Sequence, residues 1–356
     1  MRSGRTTVLQ QLRERIGRTS ALYIDVERTA TTPERFLRVV TAASPFPAVE
    51  AAPSGARAAF GATLALLGHA RTGGGEPATF LLDEFLELRT FESFPGLRRV
   101  LHELADALSA SSNRFVLSSR YTARTLRLLR DYSARFEVIH VPQLTAEDAL
   151  DILGPIAGAV ASDNANDAEY TARTVQALAD GRAAYVRAIA DEIGLMREHG
   201  GSDVVSALAA LLSHDGRLAK QCGFCYELRL HRARGYGALK AILEVLAEEE
   251  GLTLTEISQR LQRTPGSTKD YLSWLEDVDL VTSEHKRYRF IDPLLRVWVR
   301  LHCRPSQPNE DDVAREVHRY AMPRLPHQAA PQPAPGEPAF AMATAGGGAS
   351  GIIEID

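Results

Sequence analysis

Lysine is what this 356-residue chain most conspicuously lacks. Four occur, at Lys220, Lys240, Lys269 and Lys286, so nearly all the basic charge is arginine, and residues 1–219 contain none. A site in that stretch that needs a compact ammonium is excluded, because the longer, planar guanidinium does not fill the same pocket. Cysteine is also scarce: three residues are too few for a disulfide framework and fit a reducing cytosol. No apolar run approaches the roughly 18 residues that span a bilayer, which argues against a membrane-spanning helix. The N-terminus is polar and leads directly into an amphipathic helix, so no signal peptide is expected. A net charge of -4 gives no global attraction to nucleic acid or anionic membrane, and leaves open a local basic patch.

What is present is organised in blocks. The first third alternates strand and helix signals, the pattern of a parallel α/β sheet. Residues 6–15 read as a helix with Val8, Leu9, Leu12 and Ile16 on one face. Strands are expected at 21–26, 80–85, 114–119 and 136–141, with helices from 33, over 56–69 and over 96–110. From Leu144 the periodicity is helical, with segments at 145–157, 167–179, 182–198, 202–213 and 216–233. Thr145 with Asp148 three residues on makes a capping-box-like start. Helices at 239–249, 254–261 and 267–278, then short strands near 280–282 and 288–290, read as a winged helix-turn-helix. Eight of the eighteen prolines follow Arg304, together with Ala and Gly runs. The expected division is an α/β unit over 1–144, a helical unit over 145–233, a winged helix over 234–303 and a largely disordered Pro/Ala/Gly-rich tail over 304–356, within which a helix over 311–320 is allowed for.

The most informative motif is Phe80-Leu81-Leu82-Asp83-Glu84-Phe85, apolar residues running into two carboxylates. In phosphate-loop ATPases the first carboxylate of such a strand helps to hold Mg²⁺ and the second polarises the attacking water. Its counterpart is Ser3-Gly4-Arg5-Thr6-Thr7, which resembles the last part of a phosphate-binding loop. Backbone N–H groups of such a loop cradle phosphates, a lysine reaches them and a hydroxyl ligates Mg²⁺. Here Gly4 and Thr6 fit, Arg5 stands in the lysine place, and the loop's first glycine is absent. The competing reading is an ordinary helix start. The strand that feeds such a loop is central in its sheet, so an upstream start is expected.

Further candidates follow the same logic. Ser118, Ser119 and Arg120 end the next strand, where a polar residue senses a terminal phosphate or simply starts a turn. Asp25 and Glu27 read as solvated loop acids. Arg182, in Gly181-Arg182-Ala183, opens a helix from which it could reach phosphates or remain in solvent. Cys222-Gly223-Phe224-Cys225 lacks a second pair at metal spacing and reads as thiols on a helical face. DNA contact would use Ser267, Thr268, Lys269 and Tyr271 of the second helix of the turn and Lys286, Arg287 and Arg289 of the wing. Residues 254–292 hold six basic and seven acidic side chains, a balance that does not guarantee the basic face DNA needs.

Together these motifs resemble the archaeal-type ATPase family, in the STAND branch of the AAA+-related P-loop ATPases. The resemblance spans residues 1 to about 303. Besides the two motifs above, it rests on the run Pro142-Gln143-Leu144-Thr145-Ala146-Glu147-Asp148-Ala149. It rests most specifically on Gly235-Tyr236-Gly237-Ala238-Leu239 through Ile291-Asp292-Pro293-Leu294-Leu295-Arg296-Val297-Trp298. It implies a P-loop NTPase α/β domain, here short of its first strand, then an all-α lid and a winged helix. It also implies a cytoplasmic ATP-binding switch without membrane contact, which could form a nucleotide-dependent oligomer. Gly4, Arg5, Thr6, Thr7, Ser119 and Arg182 would bind nucleotide, Thr6 and Asp83 would hold Mg²⁺, and Glu84 would act as base. The winged helix would engage DNA or a protein. The departures are Arg5 for lysine, the absent half-loop and Gly181-Arg182-Ala183 without the proline usual in that lid motif, which leave a catalytically inactive pseudo-ATPase as the alternative.

Overall fold

The computed structural model describes residues 4–47, 53–132, 134–157, 165–198, 201, 203–231, 233 and 235–326. Most of the Pro/Ala/Gly-rich tail, residues 327–356, lies outside that set.

The first block is a parallel sheet wrapped by helices. Helix α1 (Arg5–Ile16) precedes strand β1 (Ala21–Asp25), the single-turn helix α2 (Val26–Thr29) and helices α3 (Pro33–Ala43) and α4 (Ala56–His69). Strand β2 (Thr79–Asp83), helix α5 (Val100–Ala110), strand β3 (Arg114–Leu117) and helix α6 (Thr122–Leu129) complete it. The strands lie in the order β1-β2-β3, all parallel, with Asp25 opposite Asp83 and Leu82 opposite Leu117. Parallel neighbours require crossover connections, which α3, α4 and α5 supply. All five residues of β2 are buried, as befits the middle strand. On one side an aromatic cluster forms the core, with Phe36, Phe60 and Phe94 set edge-on around Phe91 at 5.6–6.4 Å between centroids. Full burial of each such ring contributes on the order of 1.5–3 kcal/mol.

Two expectations fail in this block. Residues 136–141 form no strand, and Ile139 is 80% exposed. Strand-forming composition produces a ladder only beside a partner edge, and the described residues place no strand on β3's outer edge. The residues of β3 are correspondingly half-buried or exposed. On α1, Leu9 is buried but Val8 and Ile16 are exposed, so the expected apolar face is only partly covered.

Helices α7 (Ala146–Ala157), α8 (Ala165–Leu178), α9 (Ala183–Arg197), α10 (Val204–Leu212) and α11 (Arg217–Leu230) follow. Then come α12 (Tyr236–Glu248), β4 (Leu252–Thr253), α13 (Leu254–Arg260), α14 (Pro265–Asp277), β5 (Val281–Glu284) and β6 (Arg287–Phe290). The three strands form an antiparallel sheet in the order β4-β6-β5. Thr264 caps α14 and Pro265 occupies its first turn, which starts the helix before residue 267.

Helices α15 (Pro293–His302) and α16 (Glu310–Ala321) close the described chain. Helix α15 is a shared beam. Leu294, Val297 and Leu301 pack into the α7–α10 core, while Leu295, Trp298 and Val299 pack with α11–α14. Residues 304–326, expected in the disordered tail, are therefore largely built into the fold. Asn309 and Asp312 form a capping box, and α16 buries Val313, Val317 and Tyr320. The Tyr320 hydroxyl donates to the Leu178 carbonyl at 2.8 Å, and Arg300 meets Glu316 at 2.5 Å with both side chains near 10% exposed. The helix allowed for over 311–320 is thus present, one residue longer at each end, and what differs from expectation is its packing onto the core.

Candidate functional site

At the C-terminal end of β2, Asp83 is 4% exposed and surrounded by hydroxyls. Thr6 Oγ1 donates to its Oδ2 at 2.7 Å and Tyr23 Oη donates to the same oxygen at 2.9 Å. Ser118 Oγ donates to Oδ1. Burial, reinforced by the hydrogen bond to Asp83, pushes the Tyr23 phenol well above its ordinary value, so it stays a neutral donor. The contact from Thr6 brings the first turn of α1 onto the strand end. Gly4 precedes that turn in the left-handed region (φ 83°), with no side-chain cap and no acid in the turn. Among the described residues no N-cap side chain satisfies the leading N–H groups of α1, a disposition that suits an anion such as phosphate.

Glu84 follows in a left-handed conformation (φ 56°) that costs a non-glycine residue on the order of 1 kcal/mol or more. Its N–H donates to Ser118 Oγ at 3.1 Å. Its carboxylate accepts from the Arg120 backbone N–H at 2.9 Å and lies 3.1 Å from Arg120 Nε. Arg120 also pairs with Glu27. Burial alone would favour the neutral guanidinium, but Glu27 and Glu84 outweigh it and hold the Arg120 pKa above normal. Glu27 is therefore an ion-pair partner at the site and not a free loop acid.

These residues open into a cleft of about 1640 Å³ that Gly4, Arg5, Thr6, Thr7, Asp83 and Glu84 line together. Arg182 also faces it, yet is already engaged. It donates to the Ile291 carbonyl at 2.6 Å and pairs with Asp180 at 3.2 Å, with Asp292 at 3.8 Å. Asp292 in turn accepts from Tyr185 Oη at 2.7 Å and caps α15. Ser119 does not line the cleft; its hydroxyl accepts the Tyr121 N–H at 3.0 Å. Its neighbour Ser118 is the one aimed at Asp83. Strand parity is the signal that distinguishes them, since Leu82 pairs with Leu117 and the next residues, Asp83 and Ser118, lie side by side. Tyr23, on the same face of β1 two residues before Asp83's partner, carries no such mark in the sequence.

The cleft has a second wall built around Asp279. Its carboxylate caps α6, accepting the N–H groups of Thr122 (2.6 Å) and Ala123 (3.3 Å). Its carbonyl accepts from Arg229 at 2.5 Å, and Arg127 grips Asp277 with both terminal nitrogens. Burial raises the Asp279 pKa, against the pull of the two amides and of Arg229 and Arg5. The folded value lies above the ordinary 3.8. The contribution of this carboxyl is therefore fully present below the unfolded value and is lost as pH rises through the folded one. Asp279→Asn keeps a capping oxygen and tolerates the left-handed backbone (φ 52°). We expect its melting temperature to gain on the wild type between pH 4 and pH 7, and a constant gap would contradict that.

The residues considered for DNA contact differ in exposure. Thr268 is fully buried and bonded to the Thr264 carbonyl. Ser267 bonds the same carbonyl, Arg263 lies over the Tyr271 ring, and Arg287 donates to the Gly251 carbonyl. Lys269 is exposed. Thr268 is corrected accordingly, since a side chain in the core cannot reach a groove. Cys222 is buried and its thiol is pushed up, chiefly by burial. Among the described residues no group of three His, Cys, Asp or Glu side chains could hold a metal. A site of the Mg²⁺ type asks less of the protein, namely one or two oxygen ligands completed by phosphates and water. The Thr6 hydroxyl and Asp83 carboxylate fit that requirement. No helix among the described residues is long and apolar enough to cross a membrane.

No protein-family model matches the chain, and no curated protein matches it either. Among solved structures it is similar to a Walker-type ATPase of Pyrococcus abyssi, with 18% identity and a TM-score of 0.59 over 84% of this chain and 88% of that one. Two point variants of RuvB from Thermotoga maritima also align, at 12% identity over 80% of this chain and 89% of theirs, with TM-scores of 0.31 and 0.32 that carry no argument. The parallel sheet flanked by helices thus shares its fold with that Walker-type ATPase of Pyrococcus abyssi.

Proposed function

We propose that the chain is an ATP-binding protein, a nucleotide-dependent switch of the STAND/AAA+ type that acts in the cytoplasm. The observation that carries this reading is the 2.7 Å bond from Thr6 to Asp83, which joins an uncapped helix N-terminus to a buried carboxylate at a strand end. Phosphates would rest on the first turn of α1 beside Arg5, and Mg²⁺ would be held by Thr6 and Asp83. When bound, that ion would neutralise charge developing on the phosphates. Glu84 would orient and deprotonate water once Arg120 releases it. Helices α7–α11 would serve as the lid, closing from the side of Arg182, and α12–α14 with β4–β6 would be the winged-helix output. The bonds of Asp277 and Asp279 to α6 link that output to the sheet.

A second reading is a pseudo-ATPase that binds DNA or a protein partner. It is favoured by one feature, Arg5 in the lysine place with no lysine elsewhere before Lys220. Titration with ATP and Mg²⁺, followed by single-turnover hydrolysis, separates the two. Binding with turnover supports the switch, binding without turnover supports the pseudo-enzyme, and absence of binding removes nucleotide from both.

A further inference from the structure

Phosphate chemistry accounts for one end of the cleft and leaves two other features unused. The first is apolar. Phe224 and Leu228, four residues apart on α11, line the cleft and are 67% and 43% exposed. Leu126 of α6, 42% exposed, lines the same space. The second is cationic and lies beside Pro326, the last described residue. Arg319, Pro323 and Arg324 line the cleft there. Arg324 donates to the Tyr320 carbonyl at 2.9 Å and makes no ion pair among the described residues. Arg319, its side chain 59% exposed, must share Glu316 with Arg300. The sequence beyond Pro326 carries the complement of both features. Residues 327–356 hold no lysine, arginine, leucine or valine, and their acids are Glu337, Glu354 and Asp356. Isoleucine occurs there only in Ile352-Ile353-Glu354-Ile355-Asp356. In an extended segment successive side chains point to opposite sides, so Ile353 and Ile355 would face one wall and Glu354 and Asp356 the other.

We propose that the segment Ile352–Asp356 docks in this cleft within its own chain, with Ile353 and Ile355 on Phe224, Leu228 and Leu126 and the two acids toward Arg319 and Arg324. Ile352 lies 26 positions beyond Pro326. A flexible chain of that length spans roughly 25–30 Å end to end, and prolines lengthen it, so the run can return to a cleft that borders its own point of departure. An attached segment competes at an effective concentration in the millimolar range, so a modest intrinsic affinity is enough to cover the wall. Glu84 and Arg120 line the same cleft. A docked segment therefore narrows the way to them, and its release becomes a means of control. Docking of this kind stands whether or not nucleotide binds at that end.

The test uses full-length protein without nucleotide and a fluorescent synthetic peptide of residues 349–356. In the double variant Ile353→Lys, Ile355→Lys the attached segment no longer covers the wall. The peptide should therefore bind that variant saturably, and about tenfold or more tightly than it binds the wild type. Adding Phe224→Asp to the variant should abolish peptide binding, and a peptide carrying the same two lysines should not bind. Phe224 is exposed, so its replacement should leave the melting temperature unchanged. Equal peptide affinity for wild type and double variant overturns the proposal, since the wall would then be open in both. Absence of binding to the double variant overturns it too, as does binding that survives Phe224→Asp. Light scattering should show a wild-type monomer. A dimer that dissociates in the double variant would give the wall to the segment of a second copy and overturn docking within one chain.

Discussion

Glu84→Gln is expected to lower ATP turnover by about 10²–10⁴-fold while leaving Mg²⁺-ATP affinity within a few-fold of the wild type. The amide keeps the size of the side chain and one oxygen to accept the Arg120 N–H, now held at 2.9 Å, so the loop should keep its shape. What it loses is the capacity to take a proton from water. The ion pairs of Arg120 with Glu84 and Glu27 add a second consequence. With Glu84 neutralised, Arg120 keeps its ion pair with Glu27 but loses the one with Glu84 and becomes freer to meet a phosphate, so ATP affinity should hold or rise slightly. Single-turnover hydrolysis alongside equilibrium binding checks both halves. Undiminished turnover would remove Glu84 from the chemistry, and a parallel collapse of binding would make it a structural residue.

Replacement of Asp83 should strike stability and ligand binding together. In Asp83→Ala the hydroxyls of Thr6, Tyr23 and Ser118 lose their common acceptor. Stranding buried donors costs on the order of 1–3 kcal/mol each, so a net loss of about 2–4 kcal/mol is expected after partial rehydration of Thr6. Asp83→Asn retains one acceptor oxygen and should lose less stability, yet it removes the charge that a divalent cation requires. The two variants therefore separate structure from function. Urea unfolding should rank the wild type above Asn and Asn above Ala, while Mg²⁺-dependent ATP binding should be lost in both. Wild-type stability in Asp83→Ala would mean that the hydroxyl cluster contributes nothing. Retained Mg²⁺ dependence in Asp83→Asn would move the metal elsewhere.

How much of this was legible beforehand differs from element to element. The β2 strand and its two carboxylates could be read because a fully buried strand leaves an unbroken apolar run, and nothing else in that run competes for explanation. The helical segments from Thr145 onward were equally readable from their period. Residues 136–141 misled because strand propensity is realised only against a partner, and the partner's position is a property of the sheet. Helix α16 was allowed for over 311–320, but its packing onto the core was not, because the flanking prolines and Ala/Gly runs suggested a largely disordered tail. At the site, Asp83, Glu84, Thr6 and Arg5 were named from motif chemistry, and the structure brings them to one cleft. Ser118 displaced Ser119 because register decides which of two neighbouring serines faces the carboxylate. Arg120 and Glu27 form a pair across 93 positions of chain, and Asp279 meets Thr122 across 157. Long-range partnerships of this kind leave no periodic trace, so only the folded chain reveals them.

The central claim is that the junction of Thr6 and Asp83 forms a nucleotide site despite Arg5 in the lysine place. Calorimetric titration of the full chain with ATP, with and without Mg²⁺, tests it most directly. The account predicts saturable binding at one site per chain, weakened when Mg²⁺ is withheld and, in Asp83→Asn, reduced to that weaker level whether or not Mg²⁺ is present. A folded wild-type protein that shows no saturable ATP binding with Mg²⁺ present would contradict it.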